Sequence, residues 1–538
     1  MKRPPRLPLY PLLLAASPAL SLYAQNTAQA TAEDAALALA ATALPVVAAW
    51  LLALAITRRP ERAALIALLF AAAWLLFGAA SDALAALLPR WIVPRDERRC
   101  LLPALAALMA AGGICIARTR RDPRGLTRFL GTTSIILTLA VLATLAWNGL
   151  TDGLLWAPPR AAAAETAPAA PEPGAGVAWE TAAGTEALPD IYYIILDGYA
   201  RQDILAQHYD YDNSAFIESL EGMGFIVARA SRANYSQTLL SLASSLNMRH
   251  IPDMLAGDYA WGPARTRLMH AIDYGAVADI LREEGYRFVT FETGYEGTAI
   301  RTADLHLETG AESAGSRPLT ARALSWTPLA AFHDVGAYTY AVAHRERIET
   351  ILSLLAERPD GAGPQFVLAH IVCPHPPFVF GPLGELRVPP LADTSDGSHL
   401  LTRGHLSAAD YRRRYRDQLS YLNGRVLDML RALLDGAERE TVIILQADHG
   451  PGSMLDQASA ERTHAGERMS ILNAYRLPGL AGSPVYDTIT PVNTFRVILN
   501  GYFGADYPLL PDVSYYAPWD APLDLVDVTE QAVQEAGE

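Results

Sequence analysis

The 538-residue chain predicts two structural units of different class. The first is an N-terminal α-helical transmembrane bundle, and the second a C-terminal α/β sandwich built on a mainly parallel sheet. Three observations carry that expectation. Long apolar stretches crowd the first 150 residues. The charge changes sign near residue 160, from 16 Lys/Arg against 8 Asp/Glu before it to 27 against 49 after it. Beyond residue 189, short β-branched runs alternate with amphipathic helical patterns, as in a parallel sheet covered by helices.

Within residues 1–150, apolar stretches run at 8–25, 35–57, 63–88, 100–117 and 129–150. Each reaches or approaches the roughly 20 residues that span a bilayer. A soluble bundle would place polar groups at helical spacing, yet Ala63–Ala80 and Thr132–Trp147 hold almost none. Positively charged loops stay cytoplasmic. That places Lys2, Arg3 and Arg6 inside, with Arg58, Arg59 and Arg62, and the group Arg118, Arg120, Arg121, Arg124 and Arg128. The loop at 25–34 has no basic residue and suits the outside. One loop dissents: Arg90, Arg95, Arg98 and Arg99 fall outside, partly offset by Asp96 and Glu97. About five spans starting inside leave residue 151 onward outside. A cleaved signal ending near Ala24 would leave four spans and the same outcome. A transporter is disfavoured, because Asp82 is the clearest ionisable residue within a span.

Residues 151–188 are rich in Ala, Pro, Glu and Gly and read as an extended linker to a soluble domain at 189–538. The acidic balance of that domain excludes a general nucleic-acid surface. Three cysteines, Cys100, Cys115 and Cys373, exclude a disulfide scaffold and a Cys-rich zinc site. All twelve histidines lie at or after His208.

The soluble part opens on Ile191–Leu196, an uninterrupted apolar run that suits a strand buried on both faces. Further strands are expected at Phe225–Ala228, Tyr286–Glu292, Gln365–Val372, Thr441–Leu445 and Ser470–Arg476. Helices are expected at Ser214–Met223, Ala276–Glu284, Ala408–Leu434 and Val492–Tyr502. In such sheets ligands bind beyond the carboxyl ends of the strands, which here carry Asp197, Asp448 and His449.

Three segments concentrate the chemistry: PDIYYIILDGYAR at 189–201, NYSQTLLSLASSLNM at 234–248 and VIILQADHGPG at 442–452. An Asp after a strand is more often a turn residue, and a Ser/Thr cluster before an apolar run is usually a helix start. Asp448-His449 is more specific, because a carboxylate beside an imidazole suits a divalent cation. Jointly, and in this order behind a membrane anchor, the segments resemble the alkaline phosphatase/sulfatase superfamily. The nearer likeness is to its membrane-anchored branch of lipoteichoic acid synthases and phosphoethanolamine transferases.

That resemblance implies an alkaline phosphatase-like fold in a multi-pass protein of the bacterial cytoplasmic membrane, with the catalytic domain facing the periplasm or exterior. It implies one divalent metal ion, Zn, Mn or Mg, held by Asp197, Thr238, Asp448 and His449. Thr238 would be the catalytic nucleophile, with Ser236 and Ser241 as competitors. His375, in HIVCPHPPF, and His370 become substrate-binding candidates, with His464 as a further one, whereas Asn423 reads as structural. The implied partner is a membrane lipid or envelope glycan, and oligomeric state is left open. Two departures narrow the chemistry. SQTLLSL lacks the Pro and Arg of the Cys/Ser-x-Pro-x-Arg motif of formylglycine sulfatases, which disfavours sulfate esters. No compact Asp-x-x-x-His element appears between residues 300 and 460, which favours one metal over two. The alternatives are a non-catalytic envelope protein that keeps the fold and a true sulfuric ester hydrolase.

Overall fold

The computed structural model describes residues 8–25, 32–87, 97–151, 188–255, 264–310, 318–359, 361, 363–389, 401, 406–480 and 484–537. Lys2, Arg3, Arg6, Arg90, Arg95 and nearly all of the Ala/Pro-rich linker lie outside them. The chain divides into two units. One takes Met1–Trp156, Ser313–Tyr340 and Val388–Ser395, and the other takes the remaining segments.

The first unit contains helices α1 (Tyr10–Gln25), α2 (Ala32–Thr57), α3 (Pro60–Leu75), α4 (Phe77–Leu87), α5 (Glu97–Arg118) and α6 (Arg124–Thr151). Among the described residues, three helical stretches are long and apolar enough to cross a membrane: Ala32–Thr57, Leu101–Arg118 and Arg124–Trp147. The stretch expected at 63–88 breaks at Leu76 into α3 and α4. The start of α4 is fastened from a distant part of the chain. Gly78 lies in the first turn of α4, where its N–H has no partner within that helix, and it donates to the Trp326 carbonyl at 3.0 Å. A Cβ on Gly78 would collide with the Ser325 carbonyl. Ala63, Ala64 and Ala67 are buried beside Tyr10 and Trp50, so small side chains let α3 approach its neighbours closely.

The second unit is built on a seven-stranded sheet: β1 (Asp190–Leu196), β2 (Ile226–Val227), β3 (Arg287–Phe291), β4 (Leu305–Leu307), β5 (Gln365–Ile371), β6 (Thr441–Gln446) and β7 (Asn473–Arg476). Their spatial order is β2-β7-β6-β1-β5-β3-β4. The run from β6 to β4 is parallel, while β7 is antiparallel to both β6 and β2. β1 lies at the centre and faces two cores. Tyr192, Ile194 and Leu196 enter one layer, and Ile191, Tyr193 and Ile195 enter the other. That two-sided burial is why the segment shows no alternation. The amphipathic helix Ala408–Asp435 covers the first layer and Thr238–Asn247 and Pro491–Phe503 cover the second.

Phe366 on β5 is fully buried, stacks on Phe288 at 5.0 Å and meets Phe495 edge-on at 5.6 Å. Phe366→Ala is expected to cost about 3–5 kcal/mol through lost burial and the cavity left behind, read as a lowered denaturation midpoint of the full chain in detergent.

Candidate metal centre and active site

Strand register assembles the site. In the parallel pairing, Ile195 of β1 lies opposite Gln446 of β6 on one side and opposite His370 of β5 on the other. Carrying the β1–β6 register two residues onward brings Asp197 level with Asp448. Gly198 then turns the chain at φ 75, a left-handed conformation that favours glycine, and its N–H donates to Asp448 Oδ1 at 3.2 Å. Gly450 completes Asp-His-Gly for a steric reason, since a Cβ there would collide with the Glu467 carbonyl.

Thr238 is the first residue of the helix Thr238–Asn247. Its Oγ1 lies 3.2 Å from His449 Nε2. The other hydroxyls of this segment are engaged elsewhere: Ser236 Oγ accepts from Ala517 N–H at 3.0 Å, and Ser241 Oγ donates to the Tyr235 carbonyl at 3.2 Å. A buried arginine ties the Thr loop to the Asp-His loop. Arg468 donates from Nε and Nη2 to the Ser236 carbonyl at 2.9 and 2.6 Å, and from Nη1 to the Gly450 carbonyl at 2.8 Å.

Asp197, Asp448 and His449 are all buried, and one ligand atom of each lies within 4.8 Å of the other two. His449 Nδ1 sits 3.0 Å from the Gly450 carbonyl, which can only accept. The proton of the neutral ring is therefore on Nδ1, and Nε2 presents a lone pair. That lone pair stands 3.3 Å from Asp448 Oδ2 and 3.7 Å from Asp197 Oδ1. Neither oxygen accepts a hydrogen bond. Three electron-rich atoms thus converge, with the Thr238 hydroxyl as the donor beside them. Metal–ligand bonds of about 2.0–2.1 Å in a tetrahedron would hold donors about 3.3 Å apart, close to the separations seen. The residues fit one divalent cation of hard or borderline character.

The electrostatics agree with that fit. Burial opposes ionisation of Asp197, but His375, the hydrogen bond from His370 and His449 outweigh it and hold its pKa below the ordinary carboxylate value. Burial, followed by the charge of Asp197, raises the pKa of Asp448. Burial and then Arg468 push His449 well below the usual imidazole value, so the ring is neutral and able to ligate.

The remaining candidates divide by what their nitrogens touch. His375 flanks the centre, its ring 6.1 Å from that of His449 and its N–H bonded to the Asp197 carbonyl at 2.9 Å. His370 is buried with both ring nitrogens engaged, Nε2 with Asp197 Oδ2 at 3.2 Å and Nδ1 with Thr298 Oγ1 at 3.0 Å. That leaves no ring nitrogen for a substrate. His464 caps the helix Ala465–Met469, accepting at Nδ1 from Glu467 N–H, and its ring meets His208 edge-on at 4.7 Å. It stands outside the Asp197–Asp448–His449 cluster. Asn423 accepts from Tyr199 and donates to Asn213, a packing role.

Sequence reading missed Thr298, Arg468 and His344. Thr298 and Arg468 reach the site through tertiary contacts that no local pattern announces. His344 is buried on the helix His333–Glu357. Burial first, then Arg347 and the nearby His375, push its pKa down to about 3, so it is a neutral imidazole behind the site.

Comparison with known proteins gives one family. Residues 189–484 match the family model described as Sulfatase. Solved structures with similar chains include the C-terminal periplasmic domain of EcEptC from Escherichia coli in complex with Zn. That pair shares 12% identity and a TM-score of 0.42, covering 67% of this chain and 96% of that one. The integral membrane lipooligosaccharide phosphoethanolamine transferase A of Neisseria meningitidis shares 12% identity at a TM-score of 0.34, covering 87% of each chain. A 2-O GAG sulfatase, BT1596, shares 16% identity at 0.36, covering 60% of this chain and 71% of its own. No curated protein matches the chain.

Two predictions follow from the geometry. A protonated Asp448 cannot ligate, and its pKa is raised to about 6. Apparent affinity for Zn²⁺ should therefore hold above that value and fall about tenfold per pH unit below it, as read by calorimetric titration across pH 5–8. Separately, Thr298→Val removes the hydroxyl that His370 Nδ1 is hydrogen-bonded to and should weaken metal binding by about tenfold, whereas Thr298→Ser should keep it. Equal affinities for the two variants would deny Thr298 any part in the site.

Proposed function

The chain belongs to the sulfatase family across residues 189–484, and we propose that it is a membrane-anchored, metal-dependent transferase or hydrolase. Its substrates are phosphate esters of a membrane lipid or envelope glycan, and its nucleophile is Thr238. The observation that carries this reading is the proximity of one hydroxyl, Thr238 Oγ1, to the converging ligand atoms of Asp197, Asp448 and His449.

Asp197, Asp448, His449 and Thr238 would hold the cation, whether Zn, Mn or Mg. When bound there, it would lower the pKa of the Thr238 hydroxyl and polarise an oxygen of the transferred group. Thr238 Oγ1 attacks phosphorus while the bond to the leaving oxygen breaks, giving phospho-Thr238 and a free alcohol. A second hydroxyl, from an acceptor or from water, then cleaves the phospho-Thr bond. The N-terminus of the helix that begins at Thr238 favours the anionic group. His375, on the rim of the cluster, is placed to contact that group. His370 orients Asp197. The acidic balance beyond residue 160 supports a local cation as the attraction for anionic esters. The missing Pro and Arg in SQTLLSL favour phosphate over sulfate. The arginine-rich loops, read by the positive-inside rule, and the apolar helical stretches support a catalytic unit on the outer face of a bacterial cytoplasmic membrane.

Incubating the detergent-solubilised protein with headgroup-labelled phosphatidylethanolamine and phosphatidylglycerol should leave a phosphorylated adduct on the peptide bearing Thr238, read by mass spectrometry. Thr238→Ala should abolish the adduct and reduce turnover by at least about 10³-fold. Full metal-dependent turnover by Thr238→Ala, or an adduct on Ser236 or Ser241, would overturn the nucleophile assignment. Preferential cleavage of a sulfate ester would overturn the substrate class.

A further inference from the structure

Residues 318–340 lie far along the chain, between β4 and β5, yet they pack with the N-terminal helices. We infer that residues 318–332 form a membrane-surface element seated in the headgroup layer of the outer leaflet, with phospholipid as its partner. The inference rests on reading α2, α3 with α4, α5 and α6 as the successive spans of the arginine pattern.

Three fastenings hold the segment, each at a different helix. Asp34, two residues into α2, is buried and caps the helix Pro318–Ser325. Its carboxylate accepts from Leu319 N–H at 3.1 Å, from Thr320 N–H at 3.0 Å and from the Thr320 hydroxyl. Gly78, at the start of α4, donates to the Trp326 carbonyl at 3.0 Å. Arg99, two residues before the apolar stretch Leu101–Arg118, donates from Nε to the Ala331 carbonyl at 3.1 Å. Leu319 and Ala323 pack against Ala19 near the end of α1 and Ala38 near the start of α2.

The ends involved are the start of α2, the end of α1, the start of α4 and the start of α5. The end of α1 and the starts of α2 and α5 are ends that the arginine pattern assigns to the outside, and the start of α4 lies within the 63–88 stretch, in its outer half. At a rise of about 1.5 Å per residue, Asp34 and Arg99 stand about 3 Å from the limits of their apolar stretches, so the segment they hold lies at the boundary of the hydrocarbon. Its backbone is equipped for that position. The first N–H groups of the helix are met by Asp34, and the Trp326 and Ala331 carbonyls are met by Gly78 and Arg99, which removes much of the cost of approaching lipid. Leu329 is 46% exposed and Tyr338, farther along the same unit, 53%. With Trp326 they have the composition of a bilayer interface, where amphipathic aromatics and aliphatics concentrate. The arrangement also accounts for one dissenting charge. Arg99 stands on an outer loop because its guanidinium fastens Ala331.

The test uses the full chain in phosphatidylethanolamine/phosphatidylglycerol nanodiscs, with Cys100, Cys115 and Cys373 replaced by Ala. A spin label is placed at Leu329→Cys, at Leu139→Cys on α6, or at the exposed Asp210→Cys. Power-saturation EPR then compares collision with oxygen and with a water-soluble nickel chelate. The expected result is chelate accessibility at 329 several-fold below that at 210, and above that at 139. Adding Asp34→Ala should raise it toward the value at 210. If 139 is shielded but 329 is as accessible as 210, the inference fails while the spans stand. If 139 is also accessible, the membrane reading itself fails.

Discussion

Two carboxylates are held side by side at the ends of adjacent parallel strands, away from water, and most of the catalytic unit follows from that constraint. Like charges about 4 Å apart repel by about 4 kcal/mol at an effective dielectric of about 20. Such a pair persists only where surrounding groups compensate. The protein supplies part of that compensation through His370 on Asp197 Oδ2 and the Gly198 N–H on Asp448 Oδ1. What these leave open is one lone pair on each carboxylate, aimed where His449 Nε2 also points. The uncompensated remainder of the charge marks the candidate cation site, and the hydroxyl of Thr238 borders it.

The supporting groups have a division of labour. β1 is the rigid reference, buried on both faces and paired on both edges. The Thr loop and the Asp-His loop do not belong to the same strand pair, so strand register alone would not fix their spacing. Arg468 does, with three donors shared between Ser236 and Gly450. Thr298 holds Nδ1 of His370 from behind, which keeps Nε2 turned to Asp197. Each acts on the chemistry through a neighbour and none needs to touch a substrate.

Much of this was legible in the chain before any coordinates. Ile191–Leu196 announced a central strand because burial on two faces removes alternation, and Asp197 and Asp448-His449 announced themselves by ending such strands. Short edge elements were legible only in part: β2 falls within the strand expected at Phe225–Ala228, whereas β4 was not anticipated. β4 is three residues long and half exposed, with no periodicity to read. The helix Pro318–Ser325 and its docking on α2 escaped for another reason: a buried carboxylate, Asp34, caps a helix nearly three hundred residues away. Among the site residues, Thr298, Arg468 and His344 carry no motif and acquire their meaning from contacts made on folding. His370 looked like a substrate ligand because it shares a motif with His375, and only the positions of both its ring nitrogens show it facing inward to Asp197.

The packing of residues 318–332 on the N-terminal helices bears on how this protein can be divided. Severing the chain within 151–188 would leave the two pieces joined through Asp34, Gly78 and Arg99. A fragment beginning at residue 189 and made without the membrane helices would bare Leu319 and Ala323, which the whole chain buries. Proteolytic release and recombinant truncation therefore meet the same obstacle, a greasy clasp midway along what looks like a water-soluble half.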